Sequence, residues 1–117
     1  MNALYWVSTL IVSGFLLLSS YTYLFSQNTI EGIRDLGFPD FFRIQLAILK
    51  IFAVLGLLLT QVPSYVKEWS YAGTGLFIIT AMVAHIVHKD SIFILIVLTL
   101  LLLLLGLSRY SLPTGIN

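Results

Sequence analysis

The chain reads as an all-α bundle of four transmembrane helices, up-down-up-down, with a short interfacial helix between spans one and two. Three observations carry this. The 117 residues are 59% hydrophobic and only 9% charged, where a soluble domain carries about 25% charged residues and about 45–50% apolar ones. Mean hydropathy is +1.02. Four apolar runs each approach the ~20 residues that cross about 30 Å of hydrocarbon. Too few polar groups remain to cover a water-facing surface, so a soluble enzyme and a disordered tail are excluded. Six basic and five acidic residues give a net charge of +1, which leaves no basic patch for nucleic acid. The absence of cysteine excludes disulfides, thiolate metal sites and dithiol redox chemistry together. The length fits a single domain, residues 1–117.

The first run, residues 3–25, holds no charge. No Lys or Arg precedes it, and it exceeds the ~7–15 apolar residues of a secretory signal, so a retained span is expected. The second run covers about residues 41–62, with Pro39 before it and Pro63 after it, where helices tolerate or stop at proline. The third covers about residues 69–88. Ser64 is placed to cap its first turn, and Glu68 suits the positive end of its dipole. The fourth covers about residues 92–108 and is almost pure Leu, Ile and Val. Asp90 and Ser91 are good N-cap residues for it. Short links between spans two and three, and three and four, make consecutive helices antiparallel neighbours. The longer link, residues 26–40, places Ile30, Ile33 and Leu36 on one face and Glu31, Arg34 and Asp35 away from it. Capped by Asn28 or Thr29 and ended at Gly37, this stretch would lie on the membrane surface.

Aromatic residues mark the two interfaces. Tyr5, Trp6, Tyr65, Trp69 and Tyr110 fall on one side, and Tyr21, Tyr23, Phe38, Phe41 and Phe42 on the other. Charge nearly ties on orientation, with Lys67 and Arg109 against Arg34, Arg43 and Lys89. Raw counting puts the second side in the cytoplasm by a small margin.

A charge at the centre of a membrane helix costs about 2.5–3.5 kcal/mol on insertion scales, and such residues usually face a bundle interior. Lys50 is the deepest charge. Arg43 lies seven residues earlier on the same helix face. Antiparallel packing brings His85 and Asp90 to that same half of the membrane. A candidate ligand-binding cluster follows: Lys50, His85 and Asp90, with Arg43 and Gln45 nearer the surface. Each has a plainer reading. Lys50 can snorkel to the headgroups, Asp90 can be a helix cap, and His85 can be a packing histidine. His85 and His88 with Asp90 make too thin a donor set for zinc, so no metal site is expected. No serine stands in a G-x-S-x-G setting, so no catalytic triad is indicated. On the opposite face Glu68 would pair with Lys67 or Arg109 or bind a partner. Glu68, Trp69, Tyr71 and Gly73 form a candidate partner surface. The small residues Ser70, Ala72, Gly73 and Gly75 would let a helix approach closely. The fourth span, whose interior offers only Thr99 as a polar side chain, is expected to be a lipid-facing wall.

Five stretches together resemble a known group. They are Leu36-Gly37-Phe38-Pro39; Lys50 with Gly56 following; Lys67-Glu68-Trp69-Ser70-Tyr71-Ala72-Gly73; His85 with Asp90 five residues later; and the opening Tyr5-Trp6-Val7-Ser8-Thr9. They are similar to the L-G-aromatic-P, K-E-W-A-Y-A-G and S-H-x-x-x-G-D motifs of the DoxX-like family of small four-helix membrane proteins. Ala84 and Lys89 replace the serine and glycine of the last motif. The resemblance implies a bacterial inner-membrane protein with its amino terminus in the cytoplasm, and that orientation is taken over the charge count. It also implies association with quinone-reducing redox enzymes, after which the family is named, or with membrane assembly, the work of more distant relatives.

Three functions stay in contention. The first is a ligand-binding or redox-associated accessory subunit. It would hold a hydrophobic small molecule such as a quinone between Lys50, His85 and Asp90, with any electron carrier coming from a partner. The second is a scaffold or assembly factor working as a homo-oligomer or with another membrane protein. The third is a small transporter or proton pathway, for which four short helices leave little room. The cofactor is left open.

Overall fold

The computed structural model describes residues 3–59, 61–87 and 89–112. Five helices follow one another: α1 (Ala3–Phe25), α2 (Gln27–Asp35), α3 (Asp40–Leu58), α4 (Ser64–Val87) and α5 (Ile92–Tyr110). Of these, α1, α3, α4 and α5 are long and apolar enough to cross a membrane. The expected all-helical fold is observed, with the short α2 between the first two spans and no strand among the described residues.

Helix boundaries follow local chemistry more closely than hydropathy. α1 has the expected limits. α3 stops at Leu58, short of the expected residue 62, because Leu59 turns to extended backbone (φ −74°, ψ 130°) after its N–H bonds the Leu55 carbonyl at 3.0 Å. α4 starts at Ser64 rather than near residue 69. The Pro63 carbonyl accepts the N–H groups of Val66 and Lys67 at 3.0 and 3.2 Å, so the proline opens the helix. The expected end of this span at His88 lies outside the described residues. α2 is capped by Ser26, not by Asn28 or Thr29; the Ser26 hydroxyl accepts the Thr29 N–H at 3.5 Å. It ends in a Schellman motif. Gly37 N–H bonds the Arg34 carbonyl at 2.9 Å and Phe38 N–H bonds the Ile33 carbonyl at 3.3 Å. This needs Gly37 in the left-handed region, at φ +96°.

The four long helices pack in a ring, α1 on α3, α3 on α4, α4 on α5 and α5 back on α1. All neighbours in this ring are antiparallel. Val12 and Leu16 of α1, Ala53, Val54 and Leu57 of α3, Tyr71 and Ile78 of α4, and Leu98, Leu101 and Leu105 of α5 form the core. α5 thus adds a buried stripe to the core, while Ile92, Phe93, Ile96, Leu100 and Leu103 on its other side are exposed, as a lipid-facing wall requires. Its continuous run of leucines hides the stripe at positions 98, 101 and 105, since an all-apolar helix has no moment to read. α2 rests on α1 and α3, with Ile30 buried and Glu31, Arg34 and Asp35 exposed.

α3 and α4 meet most closely at Gly56. A Cβ there would lie 1.8 Å from the Ser70 hydroxyl and 2.9 Å from Ser70 Cβ. No such neighbour lies within 4 Å of Gly73. Gly56→Ala should therefore force the two helices apart and lower stability by about 1–3 kcal/mol. Gly73→Ala should leave it unchanged or slightly raised. Thermal unfolding of the two variants in the same detergent checks the contrast.

Candidate functional site

One end of the bundle is closed by hydrogen bonds. Ser108 of α5 bonds Thr9 of α1 at 2.5 Å and Tyr71 of α4 at 2.6 Å, all buried. Tyr5 donates to the Leu57 carbonyl at 3.2 Å. Lys67, only 2% exposed, donates to the Leu57 and Leu59 carbonyls at 2.9 and 2.7 Å. It caps the C-terminus of α3 with a charge, satisfying carbonyls that have no partner within their own helix. Glu68 forms a two-point ion pair with Arg109 at 2.9 and 2.5 Å, which joins α4 to α5 on the exposed rim. Of the two pairings open to Glu68, the structure uses Arg109. Trp69 is 69% exposed and stacks edge-on against Tyr65 at 5.1 Å. Tyr71 faces the opposite way, into the core, and Gly73 is half-buried. Tyr5 is thus a packing and hydrogen-bonding group rather than a headgroup anchor, and Tyr71 is buried in the core rather than presented on a partner surface.

The other end is roofed by α2 and is less tightly tied. Between α1, α4 and α5, beneath α2, lies a cavity of about 450 Å³. Its polar lining comes from Ser19, Thr22 and Tyr23 of α1, Asn28 and Thr29 of α2, Lys50 of α3, His85 of α4 and Asp90 before α5. Its apolar lining includes Phe15, Leu16, Phe77, Ile78, Ala81, Ile94, Val97 and Leu98. Lys50 sits ten residues past Asp40 in α3, about 15 Å along the axis. It is 5% exposed. Its ammonium donates to the Ser19 hydroxyl at 2.7 Å and lies 3.4 Å from the centre of the Tyr23 ring. That cation–π contact and one hydroxyl are mild partners for a charge at this depth. His85 Nδ1 bonds the Asp90 carboxylate at 2.6 Å, a pair held by the tight turn between α4 and α5. In that turn the Asp90 N–H bonds the His85 carbonyl at 3.0 Å. Ser91 takes the N-cap position of α5.

The sequence-nominated residues separate into three places. Lys50, His85 and Asp90 line the one cavity without a direct bond between Lys50 and the His–Asp pair. Arg43 is buried but turned elsewhere: its guanidinium donates to the Tyr23 carbonyl, in the last turn of α1, and lies 3.9 Å from Asp40. It neutralises the negative end of α1. Gln45 is exposed and does not line the cavity. Arg34 ties α2 to the start of α3 through paired bonds to Asp40 at 2.9 Å each. The same contact raises the Arg34 pKa above its ordinary value. His88 lies outside the described residues. No group of three His, Cys, Asp or Glu side chains able to hold a metal occurs among the described ones. Sequence reasoning missed Ser19 and Tyr23. Their i, i+4 spacing on α1 was a readable signal, since it puts a hydroxyl and a ring on one face. It also missed Ser108 and Thr9, which are too ordinary as residue types to stand out.

These features define a four-helix integral membrane protein, sealed at one end and carrying a polar-lined cavity in the opposite half. The chain belongs to the DoxX-like family, whose model matches residues 7–107. No curated protein and no solved structure matches it.

The turn after α4 also accounts for the glycine in the motif that this stretch resembles. Lys89, at that position, adopts φ +61°, a left-handed conformation costing an L-residue roughly 1–2 kcal/mol. Lys89→Gly should relieve it and raise stability by about 1 kcal/mol, read as a higher unfolding midpoint with the His85–Asp90 pair retained. At the sealed end, Lys67→Met leaves the Leu59 carbonyl without its ammonium and should cost about 1–3 kcal/mol. Glu68→Gln, which loosens an exposed pair, should cost no more than about 1 kcal/mol. Parallel melts of these two variants test the ranking.

Proposed function

We propose that the protein binds a lipid-soluble small molecule in the cavity beneath α2 and serves as a ligand-holding accessory subunit in the membrane. The observation that carries this reading is the mixed lining of the cavity. A buried ammonium and a His–Asp pair line it together with the hydroxyls and amide of α1 and α2, and the remaining lining is mostly aliphatic and aromatic. Ligand pockets of about 300–1,000 Å³ have this composition, with a few placed polar groups to fix orientation. The ammonium of Lys50 would donate to an oxygen of the head group. His85, oriented by Asp90, would offer a second polar contact nearer the rim. The tail would lie along Phe15, Phe77, Ile78 and Val97. A quinone-like head is one chemistry that meets these contacts, and the family resemblance supports it. The same resemblance supports a bacterial inner membrane with both termini on the cytoplasmic side.

The test fills the cavity. Ala81 lines it and is half-buried, so Ala81→Trp would put an indole in the ligand's place. Native mass spectrometry of the protein released from its own membranes should show a bound small molecule on the wild type and none on this variant. Decylubiquinone and oleate should each be titrated into emptied protein in nanodiscs. A wild type that carries no adduct and takes up neither probe overturns the proposal.

A further inference from the structure

The six basic side chains of this chain have sharply different surroundings. Arg34 and Arg109 are paired with Asp40 and Glu68. Arg43 and Lys67 cap the carbonyl ends of α1 and α3. Lys89 is exposed. Lys50 alone is a buried cation whose charge meets no carboxylate within ion-pair range among the described residues and no helix C-terminus. Its partners are one hydroxyl and two rings, Tyr23 at 3.4 Å and Phe77 at 5.8 Å. An ammonium has three N–H donors, so the Ser19 bond and the Tyr23 face leave donor capacity, and the remaining direction is the cavity that Lys50 lines.

A buried charge is stable when it is paired as well as hydrogen-bonded. The nearest acid on the cavity wall, Asp90, is engaged by His85 at 2.6 Å. The missing countercharge therefore falls to whatever occupies the cavity. Lysine presents a compact point charge, which suits a single carboxylate; the planar fork of arginine is the better match to bidentate phosphate. The cavity volume of about 450 Å³ accommodates one apolar chain more readily than two. Access points the same way. Leu18 of α1 lines the cavity and is 61% exposed, and Ile94 and Val97 of α5 line it while half-exposed. α1 and α5 are joined at Thr9–Ser108 near the sealed end, and these residues stand between them at the other end. The opening thus lies on the outer surface of the bundle, which in a membrane protein faces acyl chains.

From this we infer that the cavity takes a monoanionic single-chain amphiphile, a long-chain carboxylate, which enters from the bilayer between α1 and α5 and places its carboxylate on Lys50. This rests on the ligand-binding reading above and narrows it to one charge type.

The experiment compares oleate with methyl oleate and decylubiquinone on the wild type in phosphatidylcholine nanodiscs, each titrated and read as the bound fraction by native mass spectrometry. Oleate should bind about tenfold or more tightly than methyl oleate, a difference of about 1.4 kcal/mol or more. Lys50→Met should remove that preference and Lys50→Arg should keep most of it. The comparison of acid with ester uses unaltered protein, so it stands even where Lys50→Met fails to fold. Methyl oleate or decylubiquinone binding as tightly as oleate overturns the carboxylate assignment and leaves the cavity reading intact. Failure of all three probes to bind overturns both.

Discussion

Lipid tails are as apolar as leucine, so nothing akin to the hydrophobic effect presses one of these helices against the next. What holds them is close packing and buried polar contact. Each seam of the ring contains at least one such contact. α1 meets α3 through Tyr5 on Leu57, Ser20 on Ala47, Lys50 on Ser19 and Arg43 on Tyr23. α3 meets α4 through Lys67. α4 and α1 both meet α5 at Ser108. A single hydroxyl thus gathers three helices at one level, and the charged ends of two further side chains are spent on helix termini. The polar residues that looked out of place in a hydrophobic sequence are largely those that give the bundle its arrangement.

The distribution of these contacts makes the two ends unlike. At the end defined by Tyr5, Leu57, Lys67 and Ser108, all four long helices are tied within a short depth. At the other end α1 is tied to α3, no hydrogen bond joins it to α5 among the described residues, and α4 meets α5 through the turn closed by His85 and Asp90. The α1–α5 seam is therefore fastened at one end, and the cavity lies where the fastening stops. α2 covers this end, anchored by the Arg34–Asp40 pair and by the glycine turn at its own C-terminus. The amphipathic face expected to rest on lipid instead contributes Ile33 and Leu36 to the cavity lining, so the interfacial helix acts as a roof.

Much of this was legible in the amino-acid sequence because the bilayer imposes lengths. Four runs of the necessary extent, short links and an amphipathic connector leave one topology, and α1 was located to the residue. Boundaries were legible only where local chemistry was. Pro63 opens α4 in a stretch that hydropathy assigns to a loop, since Ser64, Lys67 and Glu68 dilute its apolar average. Lys50, His85 and Asp90 could be nominated because charges in hydrocarbon are rare and antiparallel order sets their level. Arg43 and Gln45 show the limit of that reasoning. Arg43 shares the face of Lys50 but lies about 10 Å nearer the helix start, where it meets the end of α1, and Gln45 turns to the outside, since depth carries no information about azimuth. Ser108 shows the opposite failure. A serine in a leucine run has no periodic signal, and only the partner helices reveal that it is central.

Lys50 differs from the other buried cations in a way that bears on why it is tolerated. Arg43 and Lys67 answer a need created by the backbone, because a helix end buried without donors is costly, and removing them exposes carbonyls. Lys50 answers no such need: α3 continues two further turns beyond it, so it caps no carbonyl end. A leucine at that position would fit the span and pack against Phe77 and Tyr23. The desolvation of an ammonium about 15 Å along a membrane helix is a continuing cost, and its return in the bundle itself is a single hydrogen bond from α3 to Ser19 of α1. A charge kept under those terms points to a use outside the fold, and the space in front of it is the place where that use would occur.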